Sequence, residues 1–335
     1  MSSSPADRLV VVWRVTQHCN LGCGFCAYDR RLPGPRRSLD PEVAFAFGSL
    51  LAEHQRLTGI DVLVSWLGGE PLGWPPLTAL TTRFWRELGL GISATTNGTT
   101  LGSEAVRAHL LAAYAEITIS VDGMGPLHDS LRGWPGGFAS LKSSLGALAR
   151  EKRAAGRGPI IRVNTVLMRD NIAGFFELCR ELARWGVEEV TFNLLGGNDR
   201  PEFHALHSVL PDQLDAFLAE LPAWQESLAQ ETLRARGLRL RGGPGYAHRL
   251  RATARGERLS IDDCQPGRRF LFMTEDGVVS PCSFTSAGYG VPLSALQTPA
   301  SLATLPELLE RARRHERLTP CHDCQSTQVF EKFSR

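Results

Sequence analysis

The sequence predicts an α/β fold built on a parallel sheet, and three observations predict it. Short apolar, β-branched runs alternate with longer segments whose apolar residues recur every three or four positions. The strand-like runs are almost continuously apolar, as strands covered on both faces are. Six such β-then-α units follow one another, too few to close a standard eight-stranded barrel, so an open partial barrel or a doubly wound sheet is expected. In both, reactive groups gather at the carboxyl ends of the strands.

Leu9–Val15, Asp61–Leu67, Gly91–Thr96, Glu116–Val121, Pro159–Leu167 and Glu188–Leu195 are the predicted strands. The intervening helices are Pro41–Leu57, Pro75–Leu88, Ser103–Ala113, Phe138–Lys152 and Ile172–Trp185. Asp40-Pro41-Glu42 reads as a helix start with proline at the first helical position, and Ser103 as an N-cap. Ile172, Phe175, Phe176, Cys179 and Leu182 form one apolar stripe. From Asn198 the rhythm breaks. A helix is expected over Asp212–Gln230, then an Arg- and Gly-rich stretch, Arg236–Arg258, of which Arg241–Arg258 is readable as a solvated basic loop. A hairpin turning at Asp276-Gly277 spans Arg269–Ser280, and a helix at Pro306–Arg317 leads to the last cysteines.

The 335 residues are 43% apolar and 21% charged, with 37 basic and 35 acidic side chains and a formal charge of +2. That balance carries neither a nucleic-acid footprint nor a polybasic membrane anchor. Lys142, Lys152 and Lys332 are the lysines; the remaining basic residues are arginines. No apolar stretch approaches the roughly 20 residues of a membrane span, and the first residues lack an export signal. A cytoplasmic protein is expected, whose grouped cysteines bind metal or react.

Cys19, Cys23 and Cys26 form C-x₃-C-x₂-C immediately after the first strand. Three thiolates so placed can hold three corners of a [4Fe–4S] cluster and leave one iron open, or bind zinc with His18 as fourth ligand. Cys264 and Cys282 flank the hairpin, and Cys321-His-Asp-Cys324 follows the last helix; four thiolates suit either structural zinc or a fully ligated cluster. Cys179 reads as a small buried apolar side chain.

The run Cys19-Asn-Leu-Gly-Cys23-Gly-Phe-Cys26 resembles the signature of the radical S-adenosylmethionine (SAM) enzymes. In register with it, Gly68-Gly69-Glu70-Pro71 follows the second strand, Thr96-Asn97-Gly98 the third, and Ser120-Val-Asp122-Gly123 the fourth, running on to His128 and Arg132. The resemblance implies a partial (β/α)6 TIM-type barrel followed by a small C-terminal β-hairpin-plus-helix domain of the "twitch" type, a short form of the SPASM auxiliary-cluster domain. It divides the chain into a barrel (1–200), a helical, Arg- and Gly-rich connector (201–260) and the twitch domain (261–335). It also implies SAM and two [4Fe–4S] clusters, on Cys19, Cys23 and Cys26 and on Cys264, Cys282, Cys321 and Cys324. Gly68, Gly69, Glu70, Asn97, Ser120 and Arg132 would hold SAM's polar groups, with Phe25 and Leu195 beside its adenine.

By this resemblance one electron, from a flavodoxin- or ferredoxin-type reductant, cleaves SAM to methionine and a 5′-deoxyadenosyl radical that takes hydrogen from substrate. The downstream cysteine spacing is similar to that of the butirosin-pathway aminocyclitol dehydrogenases. With no thiol left over as a hydrogen donor and a first strand starting by residue 9, oxidation of a small-molecule alcohol is expected first. The auxiliary cluster would then be the electron acceptor. Maturation or epimerisation of a ribosomal peptide is second, and a zinc-binding structural protein is the rival of another class. An alcohol oxidation needs a base, for which His248 and Arg249 are the candidates. Asp122, Arg162 and Asn193 are candidates for the barrel lumen, with strand parity open by one residue.

Overall fold

The computed structural model describes residues 8–197, 199–232, 237–330 and 332–333. The N-terminal stretch read for an export signal, Asn198, residues 233–236, Glu331 and the terminal Ser334 and Arg335 lie outside the described residues. Along the chain run β1 (Arg8–Thr16), α1 (Pro41–Thr58), β2 (Asp61–Gly68), α2 (Leu77–Arg86), β3 (Gly91–Thr96), α3 (Glu104–Ala113), β4 (Glu116–Ser120), α4 (Pro126–Arg132), α5 (Gly137–Ala155), β5 (Ile160–Leu167), α6 (Phe175–Trp185) and β6 (Glu189–Leu194). They are followed by α7 (Pro201–His207), α8 (Pro211–Thr232), β7 (Arg239–Leu240), α9 (Pro244–Arg255), β8 (Phe270–Met273), β9 (Val278–Ser280), α10 (Ser286–Tyr289), β10 (Val291–Pro292), α11 (Pro299–Ala303), α12 (Leu305–His315) and α13 (Thr319–His322). The six predicted strands are all present, and no end is displaced by more than about one residue.

Local chemistry sets the helix boundaries. Asp40 accepts from the backbone N–H groups of Glu42 and Val43, Pro41 opens α1, and Gly59 closes it in the left-handed region at φ 72°. Ser103 caps α3 through Val106 N–H. Within the arginine-rich stretch read as a solvated loop, Pro244–Arg255 is instead α9. Tyr246, Leu250 and Ala252 supply its buried side and Gly256 ends it, so amphipathic spacing prevails over the charge of the exposed positions.

The chain divides into two compact units. The first comprises residues up to His18, 34–94 and 258–326. In it β1 runs parallel to β2, pairing Arg8 with Asp61 through Trp13 with Trp66, and β2 runs parallel to β3. The apolar run Phe270–Met273 also lies parallel to β1, turns at Asp276-Gly277 into antiparallel β9, and β9 pairs with β10. Trp13, Trp66 and Phe84 form its aromatic core, with ring centroids 5.9 and 5.1 Å apart in sequence.

The second unit comprises residues 19–33, 95–257 and the segment from 327 onward. Here β4, β5, β6 and β7 are parallel neighbours. Alternation along β5 buries Ile161, Val163, Thr165 and Leu167 and leaves Arg162, Asn164 and Val166 on the opposite face. Phe192 of β6 meets Phe175, Phe217 and Tyr246 at 5.5, 5.3 and 5.8 Å, joining α6, α8 and α9. Cys179 is fully buried on α6, as its place in the apolar stripe predicts. No helix among the described residues is long and apolar enough to cross a membrane.

Candidate active site

The three N-terminal cysteines lie on a loop folded upon itself in the second unit. Cys26 N–H bonds Cys23 O at 3.1 Å, Asp29 N–H bonds Cys26 O at 3.2 Å, and Arg30 N–H returns to Leu21 O at 3.0 Å. Asp29 braces the loop. Its carboxylate takes Arg31 Nε at 2.9 Å and Arg31 Nη2 at 2.7 Å, while the same Nη2 donates to Gly22 O at 2.7 Å. Arg200, at the start of α7, reaches Asp29 at 3.4 Å. The Arg31 guanidinium holds this carboxyl down to about 2.

Each sulfur meets a donor. Leu21 N–H faces Cys19 Sγ at 3.5 Å and Asn97 Nδ2 faces it at 3.8 Å. Arg132 Nη1 stands 4.0 Å from Cys23 Sγ, and Tyr28 N–H 3.4 Å from Cys26 Sγ. Such donors favour thiolate over thiol. Burial works against them, pushing Cys23 up to about 11 and Cys26 upward as well. A metal centre that displaces the protons resolves that conflict. Among the described residues, no three His, Cys, Asp or Glu side chains converge on one metal position. A [4Fe–4S] cube takes one thiolate per iron. The donor set fits the cube.

Arg132 closes the site from the end of α4. It is buried beside fully buried Asp122, Nε to Oδ2 2.5 Å, without an in-line hydrogen bond, and its guanidinium lies 5.2 Å from the centre of the Phe25 ring. Burial opposes its charge, but Asp122 and Cys23 outweigh that and keep it protonated above the ordinary arginine value. His128, one turn earlier, accepts from Asp122 N–H through Nδ1 at 3.2 Å and leaves Nε2 buried without a partner. Burial, helped by Arg132, pulls His128 down to about 4, so it is neutral at physiological pH. Phe25 and Leu195 meet in one apolar cluster with Leu131, Met168, Val166 and Phe203. Beside it lies a cavity of about 70 Å³ lined by Asp122, Leu127 and Asn171, among others. Asn97 also donates to Asn20 Oδ1 at 2.9 Å, and Ser120 ends β4 opposite Asn164.

Gly68, Gly69 and Glu70 belong to the first unit. Gly68 sits at φ 149°, where an added Cβ would collide with Thr16 O, so glycine is required there. Gly69 N–H bonds Thr16 O and Glu70 N–H bonds His18 O, both at 2.8 Å; the Glu70 side chain is buried and accepts from Leu72 N–H at 2.9 Å.

The downstream cysteines also lie in the first unit. Cys324 N–H bonds Leu259 O at 2.7 Å, and Arg313 and Arg317 bond Asp262 O and Ile261 O at 2.6 and 2.8 Å, tying the segment before Cys264 to that around Cys321 and Cys324. Thr285 Oγ1 stands 3.3 Å from Cys282 Sγ and Tyr289 OH 4.0 Å from Cys321 Sγ. Burial pushes Cys264 up to about 11 and Arg313 pulls the other way, while Cys324, Cys321 and Cys282 are near enough to resist its ionisation. Four neighbouring thiols on segments tied by hydrogen bonds suit structural zinc and a fully ligated cluster alike.

The two base candidates are not brought together. His248 is exposed on α9, whereas Arg249 is buried and spends its guanidinium on Thr253 Oγ1 at 3.0 Å and Glu257 O. Of the three lumen candidates, Arg162 and Asn193 stand on one face of β5 and β6, while Asp122 turns inward to Arg132. Sequence reasoning missed Asp29 and Arg31, and it gave His128 no role of its own. Their signal was position: beside the cysteine run, and four residues before Arg132.

Residues 13–140 match the radical SAM superfamily. Over 166 residues the chain is 32% identical to the PqqA peptide cyclase of Ruegeria pomeroyi, covering 49% of this chain and 41% of that one. It is 29% identical over 187 residues to the pre-heme d1 synthase of Dinoroseobacter shibae, covering 54% and 42%. It is 22% identical over 284 residues to the mycofactocin maturase MftC of Mycolicibacterium smegmatis, covering 82% and 64%. The chain thus spans less than two thirds of each of these relatives. Among solved structures, native anSMEcpe with bound AdoMet superposes with a TM-score of 0.64 at 17% identity, over 96% of this chain and 88% of the other, a likeness of fold. The stretch so matched, residues 13–140, holds Cys19, Cys23, Cys26, Gly68, Gly69, Glu70, Asn97, Ser120 and Arg132.

Proposed function

We propose that the protein is a radical SAM enzyme that modifies a peptide. The observation that carries the radical chemistry is the loop with three cysteines, each sulfur met by an N–H donor and one by buried Arg132. Cys19, Cys23 and Cys26 would hold the cluster. When bound, that cluster supplies the single electron that breaks a carbon–sulfur bond of SAM. Phe25 and Leu195 offer an apolar surface for the adenine. Gly68, Gly69, Glu70, Asn97, Ser120 and Arg132 are assigned to its polar groups.

The peptide reading, second in the sequence analysis, moves ahead of small-molecule alcohol oxidation because of the relatives: one is a peptide cyclase and another a maturase. The haem-precursor synthase among them keeps a tetrapyrrole as the second substrate class. Cys264, Cys282, Cys321 and Cys324 would carry a second cluster in a C-terminal auxiliary domain, 261–335. A fully ligated cluster there has no open iron for substrate and suits electron transfer.

The test is deuterium transfer. Reconstituted, reduced protein is given SAM with deuterated peptides, porphyrinogens or aminocyclitols, and the 5′-deoxyadenosine is weighed. Deuterium from peptides alone supports the proposal. Deuterium from an aminocyclitol or a porphyrinogen, and none from peptides, refutes the peptide assignment.

A further inference from the structure

One face of the second unit's sheet holds a titratable group that the chemistry above leaves unused. Arg162 and Asn164 on β5 share this face with Glu189, Thr191 and Asn193 on β6: Arg162 pairs with Glu189 at 2.8 Å and Thr191 Oγ1 bonds Asn164 Oδ1 at 3.0 Å. Lys332, from the C-terminal segment, is inserted here and is 6% exposed. Its Nζ donates to Asn193 Oδ1 at 2.8 Å and to Asn164 Oδ1 at 3.1 Å. Val166, the next residue of β5 on this face, belongs to the apolar cluster of Phe25 and Leu195.

The surroundings favour an uncharged amine. The charged groups nearby are Arg162, its partners Glu116 of β4 and Glu189 of β6, and Arg239 and Arg241, which also bond Glu189. Tyr246 of α9 donates to the same Asn193 oxygen at 3.0 Å. Among the described residues no carboxylate pairs with Lys332; the acidic side chains on this face are held by arginines. Burial, reinforced by Arg162, pushes Lys332 down to about 7. A neutral amine has two N–H bonds and one lone pair. Two asparagine oxygens take both N–H bonds and leave the lone pair available.

We propose that Lys332 is the proton acceptor of this site, its amine aimed by Asn164 and Asn193 along the face that leads to Phe25 and Leu195. The proposal rests on the radical SAM reading and goes beyond it by naming the base, in place of His248 and Arg249. In the step, the Nζ lone pair forms a new N–H bond as a substrate O–H or N–H breaks. The electrons of the broken bond stay on the substrate, and Lys332 becomes an ammonium. No electron passes through the lysine.

Because the chain has three lysines, [ε-¹³C]lysine labelling of the whole protein gives three resolvable side-chain positions, and Lys332→Met identifies one of them. Its pH titration is expected to have a midpoint about 7, shifted by Asn193→Leu. A midpoint at the ordinary lysine value of 10.5 overturns the proposal. With the compound that passes deuterium to 5′-deoxyadenosine, Lys332→Arg is expected to lower product formation about 100-fold, since a guanidinium cannot accept the proton. Unchanged turnover in Lys332→Arg also overturns it. If no compound passes deuterium, the function proposed above fails and the assignment of a substrate base falls with it, whereas a lysine midpoint of 10.5 overturns the base alone.

Discussion

Replacing Asp29 by asparagine should loosen the cysteine loop by an amount that can be worked out. The carboxyl lies at about 2 instead of its ordinary 3.8, because Arg31 donates to both oxygens. That difference of about 1.8, at about 1.36 kcal/mol per pKa unit, corresponds to roughly 2.4 kcal/mol. The Asp29 side chain is 2% exposed but that of Arg31 is 63% exposed, so solvent screening lowers the figure to about 1–2 kcal/mol. The sign follows from the depressed value. The stabilisation is complete above the unfolded-state pKa and disappears only as pH falls through about 2. Urea unfolding of wild type and Asp29→Asn should therefore show a constant gap from about pH 8 to about pH 5, shrinking below 3.8. In parallel, the Asp29→Asn protein should retain less iron after anaerobic reconstitution. No gap near neutral pH, or one that already closes above about pH 5, would refute the reasoning.

Further outcomes follow from the same geometry. Arg132→Met leaves the Asp122 charge buried without its cation and should cost about 3 kcal/mol, most of it recovered in Arg132→Met with Asp122→Asn; equal loss in single and double variants contradicts the pairing. His128 at about 4, against an ordinary 6.5, resists protonation in the fold. Stability should therefore fall as pH drops from 6.5 toward 4, with a shallower slope in His128→Asn, measured by thermal melts across that range; identical slopes exclude the histidine. Cys282→Ala should reduce iron from about eight to about four per chain by iron and sulfide analysis; retention of all eight removes the second cluster.

The strands were legible because apolar, β-branched runs recur between segments of helical period, even where, as in β5, buried apolar residues alternate with polar ones. The cysteine loop was legible through its spacing, and its partners at the strand ends through their register. What escaped the sequence depends on tertiary burial. The α9 helix is masked by its charge density, with His248, Arg249, Arg251 and Arg255 spread over twelve helical residues. The run Phe270–Met273 reads as half of a local hairpin, yet it also pairs with β1, a contact some 260 residues away in the chain that no local signal encodes. Asp122, two residues past the end of β4, pairs with Arg132, a partner that strand alternation does not indicate. Lys332 carries no local signal in the sequence, and its insertion between two asparagines is what distinguishes it.

The central assignment is tested most directly by SAM cleavage. Anaerobically reconstituted, reduced protein incubated with SAM should release 5′-deoxyadenosine and methionine in equal amounts, and Cys23→Ala should release neither. Cleavage that persists in Cys23→Ala, or wild-type protein that holds iron and leaves SAM intact, would contradict it.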